Sequence, residues 1–143
     1  MTRVTPFRVA AVLLLLFCAG HTAGGMLAQK SMGGASDVVF AQMKAVHFAC
    51  NGSDCTWYGF WYGFGMTVSV FLLLSAVIAW QLDRVPPTAW KSTAVIAWAL
   101  IAAHAANTVL SLKFFFMAPT IFSLCVTALL IWGALRAAER QEV

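Results

Sequence analysis

From Cys55 to Leu82 the chain runs 28 residues without a charge, bracketed by Asp54 and Asp83. Crossing the roughly 30 Å hydrocarbon core of a bilayer takes about 20 predominantly apolar residues in a helix, so this run has the length of a membrane span. It opens on a tandem repeat, Trp57-Tyr58-Gly59-Phe60 followed by Trp61-Tyr62-Gly63-Phe64. Trp and Tyr favour the membrane–water interface because their rings are amphipathic, which assigns that end of the helix to a bilayer surface. The repeat period is four, so Gly59 and Gly63 share one helix face while Trp57 and Trp61 share another.

Three more runs have the same character. Arg8 and Lys30 enclose 21 uncharged residues, Lys91 and Lys113 enclose 21, and Lys113 and Arg136 enclose 22. The first is expected to remain as a span rather than act as a cleaved leader, because its apolar stretch outruns a typical signal core. Bulky Phe17, where a small residue is wanted, argues against a lipoprotein processed at Cys18. With 62% hydrophobic and 10% charged residues, against about 25% charged in soluble proteins, one integral membrane domain over 1–143 is expected. The fold class is all-α, a four-span transmembrane helix bundle with spans near 8–26, 57–82, 90–112 and 115–136. Val85-Pro86-Pro87-Thr88 reads as a turn because proline cannot continue a helix. Pro119 either starts the last helix or kinks it.

The segment 27–56 is the one substantial polar stretch. Ser36 has the character of a helix N-cap, and Asp37 suits the positive end of a helix dipole. Val39, Phe40, Met43, Val46 and His47 or Phe48 recur at three- and four-residue steps. That spacing predicts an amphipathic helix over 37–49, ended by Asn51-Gly52 and lying externally at the membrane surface between spans one and two. Cys50 and Cys55 flank Asn-Gly-Ser-Asp, and on an oxidising external side they are expected to form a disulfide stapling this loop to the second span. Their spacing is not the two-residue gap of redox-active thiols.

Four spans put both termini on one side. Arg3, Arg8, Arg84, Lys91, Arg136 and Arg140 then share a face, and Lys30, Lys44 and Lys113 the other. The six-to-three bias makes the first face cytoplasmic, in an inner (plasma) membrane; the compact, Ala-rich chain reads as bacterial. The net charge of +4 comes from dispersed residues at span ends, with no basic patch of the kind nucleic-acid binding requires.

His21 and His104 are each the thirteenth residue of their charge-free window. Both spans run the same way, so both imidazoles fall about 18 Å from the cytoplasmic edge, with Cys125 near that level. Asn107 and Thr108 follow His104 at i+3 and i+4. Ionisable residues inside a membrane are costly and face the interior of a bundle. Each histidine either makes an interhelical hydrogen bond or takes part in a site for a haem, a metal or a quinone. Trp61 joins His21, His104 and Asn107 as a candidate ligand contact. Asp37, Asp54, Asp83, Glu139 and Glu142 all fall in loops or the tail, which disfavours proton-coupled transport and carboxylate catalysis. Gly20, Gly24, Gly59 and Gly63 are expected to let helix backbones approach closely.

The segment Gly20-His21-x-x-Gly24-Gly25, with Met43 and Gly63-Phe64-Gly65, resembles a set of uncharacterised small bacterial four-helix integral membrane proteins. These carry a Gly-His near the end of span one, a Met-containing external helix and a Gly-Phe opening span two. The resemblance covers about residues 15–80 and implies the topology only. The expected function is an accessory or interaction subunit, with the bilayer and other membrane subunits or a second copy as partners, and with a lipid-like ligand. The alternative is an oxidoreductase or isomerase-type membrane enzyme using His21 and His104 around a haem, metal or quinone.

Overall fold

The computed structural model describes residues 4–28 and 31–141. Arg3, Lys30 and Glu142, used above in the charge count and the tail, lie outside the described residues. Among the described residues four helices are long and apolar enough to cross a membrane: Pro6–Leu27, Trp57–Leu82, Pro87–Phe114 and Met117–Glu139.

Helix α1 spans Pro6–Gly20 and continues as a π-helix over His21–Leu27. Proline suits the first helical position, where its missing N–H would go unused. The Thr5 hydroxyl caps the turn by accepting the Arg8 N–H at 3.2 Å. Helix α3 spans Trp57–Leu82 and starts the same way, the Thr56 hydroxyl accepting the Gly59 N–H at 3.0 Å. A short 3₁₀ turn at Pro87–Ala89 leads into α4, Trp90–Phe114. Two extended residues, Phe115 and Phe116, then reverse the chain into α5, Met117–Glu139. Pro119 therefore stands in the first turn of α5 and starts the helix rather than kinking it.

The segment between α1 and α3 departs from expectation. Helix α2 runs Gly34–Ala45, with Gly33 at its N-cap instead of Ser36. None of its residues is buried, and Val38 and Val39 are exposed. Its continuation to residue 49 fails because His47–Cys50 is strand β1, paired antiparallel with strand β2, Ser53–Thr56. Asn51 at φ 50° and Gly52 at φ 82° make the two-residue turn. Asn-Gly tolerates positive φ at both positions and so matches the twist of a hairpin, which is the signal the helical reading passed over.

The Asp37 carboxylate instead ties the segment that leads into the helix back onto its first turn. It accepts from the Ser31 hydroxyl at 2.5 Å and from the Met32 N–H at 3.0 Å. The Ser31 bond first, then the Met32 amide, holds its pKa below the ordinary 3.8. A depressed folded-state pKa means a contribution that is fully present above the unfolded value and is lost as pH falls through the folded one. Acidification below about pH 4 is therefore expected to fray residues 34–37 first, as read by amide exchange. Asp37→Asn should abolish that pH dependence, and an unchanged acid response in the variant would refute the tie.

The chain forms two compact units, Met1–Phe17 with Leu72–Val143, and Cys18–Phe71. In the first unit four helical segments contribute a core. Phe7, Ala10, Ala11 and Leu14 of α1 meet that core, as do Leu72, Ala76 and Ala79 of α3. Ala97, Leu100 and Ile101 of α4 and Val126, Leu130 and Ala134 of α5 complete it. These recur at three- and four-residue steps, one face per helix, and the alanines permit the close approach typical of membrane helices. The outward faces are apolar too, with Leu16, Val95 and Leu124 well exposed. Apolar surface outside is the composition expected against lipid.

The second unit holds the π-helical end of α1, α2, the hairpin and the first half of α3. Its surface is dense in aromatic contacts. Phe48 stacks with Phe60, Phe60 with Phe64, and Phe40 meets Trp61 edge-on at 5.3 Å.

Candidate functional site

In the second unit one face of α1 carries Cys18, His21 and Thr22, at i, i+3 and i+4. All three converge on Ser69 of α3. The Thr22 hydroxyl donates to Ser69 Oγ at 2.8 Å, His21 Nδ1 lies 3.2 Å from the same oxygen, and the Cys18 thiol donates to the Ser69 carbonyl at 3.3 Å. Ser69 is buried, whereas His21, Thr22 and Cys18 are half-buried. The π-helix begins at His21; its wider turn winds fewer degrees per residue and brings adjacent side chains to one partner more readily than an α-turn. Such π-segments concentrate at functional positions.

His104 belongs to the first unit, and its setting differs. It is 1% exposed on α4, within a ladder of small polar groups between α4 and α5. Asn107 Nδ2 donates to Ser123 Oγ at 2.9 Å, and Thr108 and Thr127 hydroxyls lie 3.3 Å apart. Thr108 and Thr127 also donate back to the carbonyls of His104 and Ser123, at 2.9 and 2.8 Å. Back-bonding of this kind satisfies a hydroxyl where no water is present. Asn107 is thus engaged across the helix pair. Cys125 is exposed. Each histidine has its own hydrogen-bonded or buried setting in its own unit.

Among the described residues no three His, Cys, Asp or Glu side chains are placed to hold a metal ion. Trp61 packs on Phe40 and on Tyr58, ring centroids 5.3 and 5.7 Å away, so its role in this unit is to tie α2 to α3.

The disulfide does not form: Cys50 and Cys55 are separate thiols. Hairpin register is the reason. Cys50 pairs with Ser53 and Cys55 with Phe48, which makes the cysteines diagonal neighbours, roughly 7–8 Å apart at Cα, at or beyond the reach of a bridge. Desolvation, the neighbouring Cys50 thiol and the Asp54 carboxylate push the Cys55 thiol above its ordinary pKa. It is held protonated and is a poor nucleophile. On the opposite hairpin face His47 Nδ1 pairs with Asp54 at 2.8 Å, fully in solvent reach.

The glycines also redistribute. A side chain at Gly20, Gly24 or Gly63 would meet nothing within 4 Å, and one at Gly59 would meet only the Thr56 cap. Among the described residues no other helix stands within 4 Å of a Cβ at these four positions. Close approach falls instead to Gly133, where Phe7 occupies the space beside the backbone, and to Gly65, where Met26 does. Gly59 and Gly63 instead line an open groove of about 490 Å³ with Thr56, Phe60, Phe64 and Thr67.

A second buried polar feature, missed in the sequence, closes one end of the first unit. Asp83 stands in the turn that follows α3, as its place after the charge-free run implies, yet its side chain is 3% exposed and bonded to Arg8 Nη2 at 2.6 Å. The Thr5 hydroxyl donates to its other oxygen. The Arg8 and Arg84 guanidinium groups lie 5.5 and 5.8 Å from the Trp80 ring centre. Nothing in the sequence distinguishes this aspartate from one in a solvated turn.

Comparison with protein-family models, with curated proteins and with solved structures finds no match to this chain.

Proposed function

We propose that this chain is a small integral membrane protein acting as an accessory or interaction subunit, with the Gly59–Gly63 face of α3 as its contact surface. One observation carries the reading: a glycine face at four-residue spacing lies along an open groove, where among the described residues nothing stands within 4 Å of a Cβ at Gly63 and only the Thr56 hydroxyl meets one at Gly59. Small-xxx-small faces let the backbones of two membrane helices meet closely, where dispersion and weak hydrogen bonds drive association. Phe60 and Phe64 flank the groove and would add apolar contact. The partner is another membrane helix, from a second copy or from a different subunit.

The topology that goes with this reading puts both termini in the cytoplasm of a bacterial inner membrane and residues 27–56 outside. The excess of Lys and Arg at the terminal side supports it, as does the aromatic cluster at the first turns of α3.

The test is Gly63→Leu. Because the side chain would enter open space, the stability of the isolated chain is expected to change by less than about 0.5 kcal/mol. Assembly, read by crosslinking in membranes and by light scattering in mild detergent, is expected to fall to monomer. An oligomer that survives the substitution would sink the interaction surface.

A further inference from the structure

Two helices of the first unit end on the same device. Trp80 and Arg84 close α3, Trp132 and Arg136 close α5, and the members of each pair are four residues apart. The Arg84 guanidinium lies 5.8 Å from the Trp80 ring centre, and that of Arg136 lies 4.9 Å from the Trp132 ring centre. A guanidinium over an indole is attracted by the ring's quadrupole. The contact uses the flat face of the guanidinium and leaves its N–H edge for another acceptor.

Packing brings both pairs to one end of the unit. Phe7 of α1 lies against Gly133 of α5 and packs on Trp90 at the start of α4. The next residue, Arg8, bonds Asp83 just beyond α3. Arg84, Lys91 and Arg136 are exposed at this end, and among the described residues none of the three forms an ion pair. Asp83 cannot compensate them, since it is buried on Arg8. The order along each helix also matters. Trp settles at the membrane–water interface, and an arginine four residues on stands about 6 Å further along the axis, at the level of the phosphates. On the other side of each tryptophan the surface is apolar: Leu73 and Val77 of α3 and Ile131 of α5 are exposed.

We propose that this end of the first unit is a binding surface for anionic phospholipid, with Arg84 and Arg136, each held on its tryptophan, donating to headgroup phosphate oxygens. Guanidinium N–H groups fit phosphate oxygens in pairs, and Lys91 adds positive charge beside them. The apolar surface continuous with each arginine takes the acyl chains, which a free phosphate lacks. A zwitterionic headgroup brings its own cation to a rim that is already positive, so the net charge of the lipid sets the preference. The proposal rests on the membrane-spanning reading and is independent of the Gly63 surface, which is read by oligomeric state.

The experiment uses the full chain in mild detergent with equal amounts of phosphatidylglycerol and phosphatidylcholine, bound lipid being counted by native mass spectrometry. Wild type is expected to retain phosphatidylglycerol severalfold over phosphatidylcholine. Arg84→Gln and Arg136→Gln are each expected to weaken that retention about fivefold, the worth of one basic residue at an anionic surface. Trp132→Leu keeps the charge but frees the arginine, and should weaken it about twofold to threefold. Lys113→Gln, at the opposite end of α4, should change nothing. Equal retention of the two lipids by a chain that needs detergent would overturn the proposal alone, whereas a chain that stays dissolved without detergent would overturn the membrane-spanning reading with it. Unchanged retention in both arginine variants would overturn it too. So would an equal loss in Lys113→Gln, which would reduce the effect to overall charge, or displacement of the lipid by glycerol phosphate at matched concentration, which would identify a soluble phosphate as the occupant.

Discussion

Asp83→Ala is expected to lower the stability of the first unit by about 3 kcal/mol, one of the two largest single-residue effects in this chain. Removing one partner of a buried pair leaves the other charge uncompensated, at roughly 3–5 kcal/mol. Here the aspartate is almost fully enclosed while Arg8 keeps 31% exposure. The orphaned guanidinium can thus rehydrate, which holds the cost at the lower end. The lost acceptor also strands the Thr5 hydroxyl. Since Thr5 and Arg8 begin α1 and Asp83 follows α3, the damage should show as loosening of the α1 start against the α3 end. Thermal unfolding in detergent, followed by circular dichroism, measures it. The control is a double variant, Arg8→Met with Asp83→Leu. Replacing a buried pair by apolar side chains is often neutral or stabilising, so the double variant should recover most of the loss. A single variant within about 0.5 kcal/mol of wild type would show the pair to be inconsequential.

Gly133→Leu is expected to cost about 2–3 kcal/mol, within the usual range for overpacking. A Cβ at Gly133 would stand 2.9 Å from two ring atoms of Phe7. The ring cannot fold out of the way as a methionine tail can. It is buried and also packs on Trp90, centroids 6.1 Å apart. The same change at Gly65 meets the flexible end of Met26 and should be milder. Shortening Phe7 to Ala in the Gly133→Leu background should relieve the clash, so the double variant should be more stable than the sum of the single effects predicts. Additive losses across that cycle would mean that the two side chains do not meet. The contrast with Gly63→Leu, where nothing stands in the way, separates a glycine that packs this chain from one that faces outward.

Much of the architecture was readable from the position of charges. The run without charge from Cys55 to Leu82 became α3 almost residue for residue, because a helix in hydrocarbon ends where a charge can reach water. The other three spans moved by one to three residues at their ends. Lys113 and Arg136 have long stems that let the helix continue past them before the charge is solvated. Residues 37–45 are helical as expected, but the helix stops short of 49: the three- and four-residue spacing of apolar side chains there fits a helix, while Asn51-Gly52 fits a hairpin. Local backbone preference at those two residues decided the outcome, since both adopt positive φ.

The candidate site was half legible. Cys18, His21 and Thr22 fall on one helix face by spacing alone. That Ser69 would be their common partner does not follow, because a serine in an apolar run usually bonds its own helix. The same limit applies to Asp83, and to the glycines, whose spacing marks faces without saying what lies across them.

The sequence by itself thus determined the helical class and the number and approximate extent of the apolar helices. Those follow from the cost of burying charge and backbone in hydrocarbon, a property of each residue and its chain neighbours. Only the tertiary structure decided that His21 is tied to Ser69, that Asp83 is buried on Arg8, that Cys50 and Cys55 stand diagonally apart, and that Gly133 packs while Gly63 stays open. Each of these is a relation between residues distant in the chain or set by strand register, and no local preference specifies it.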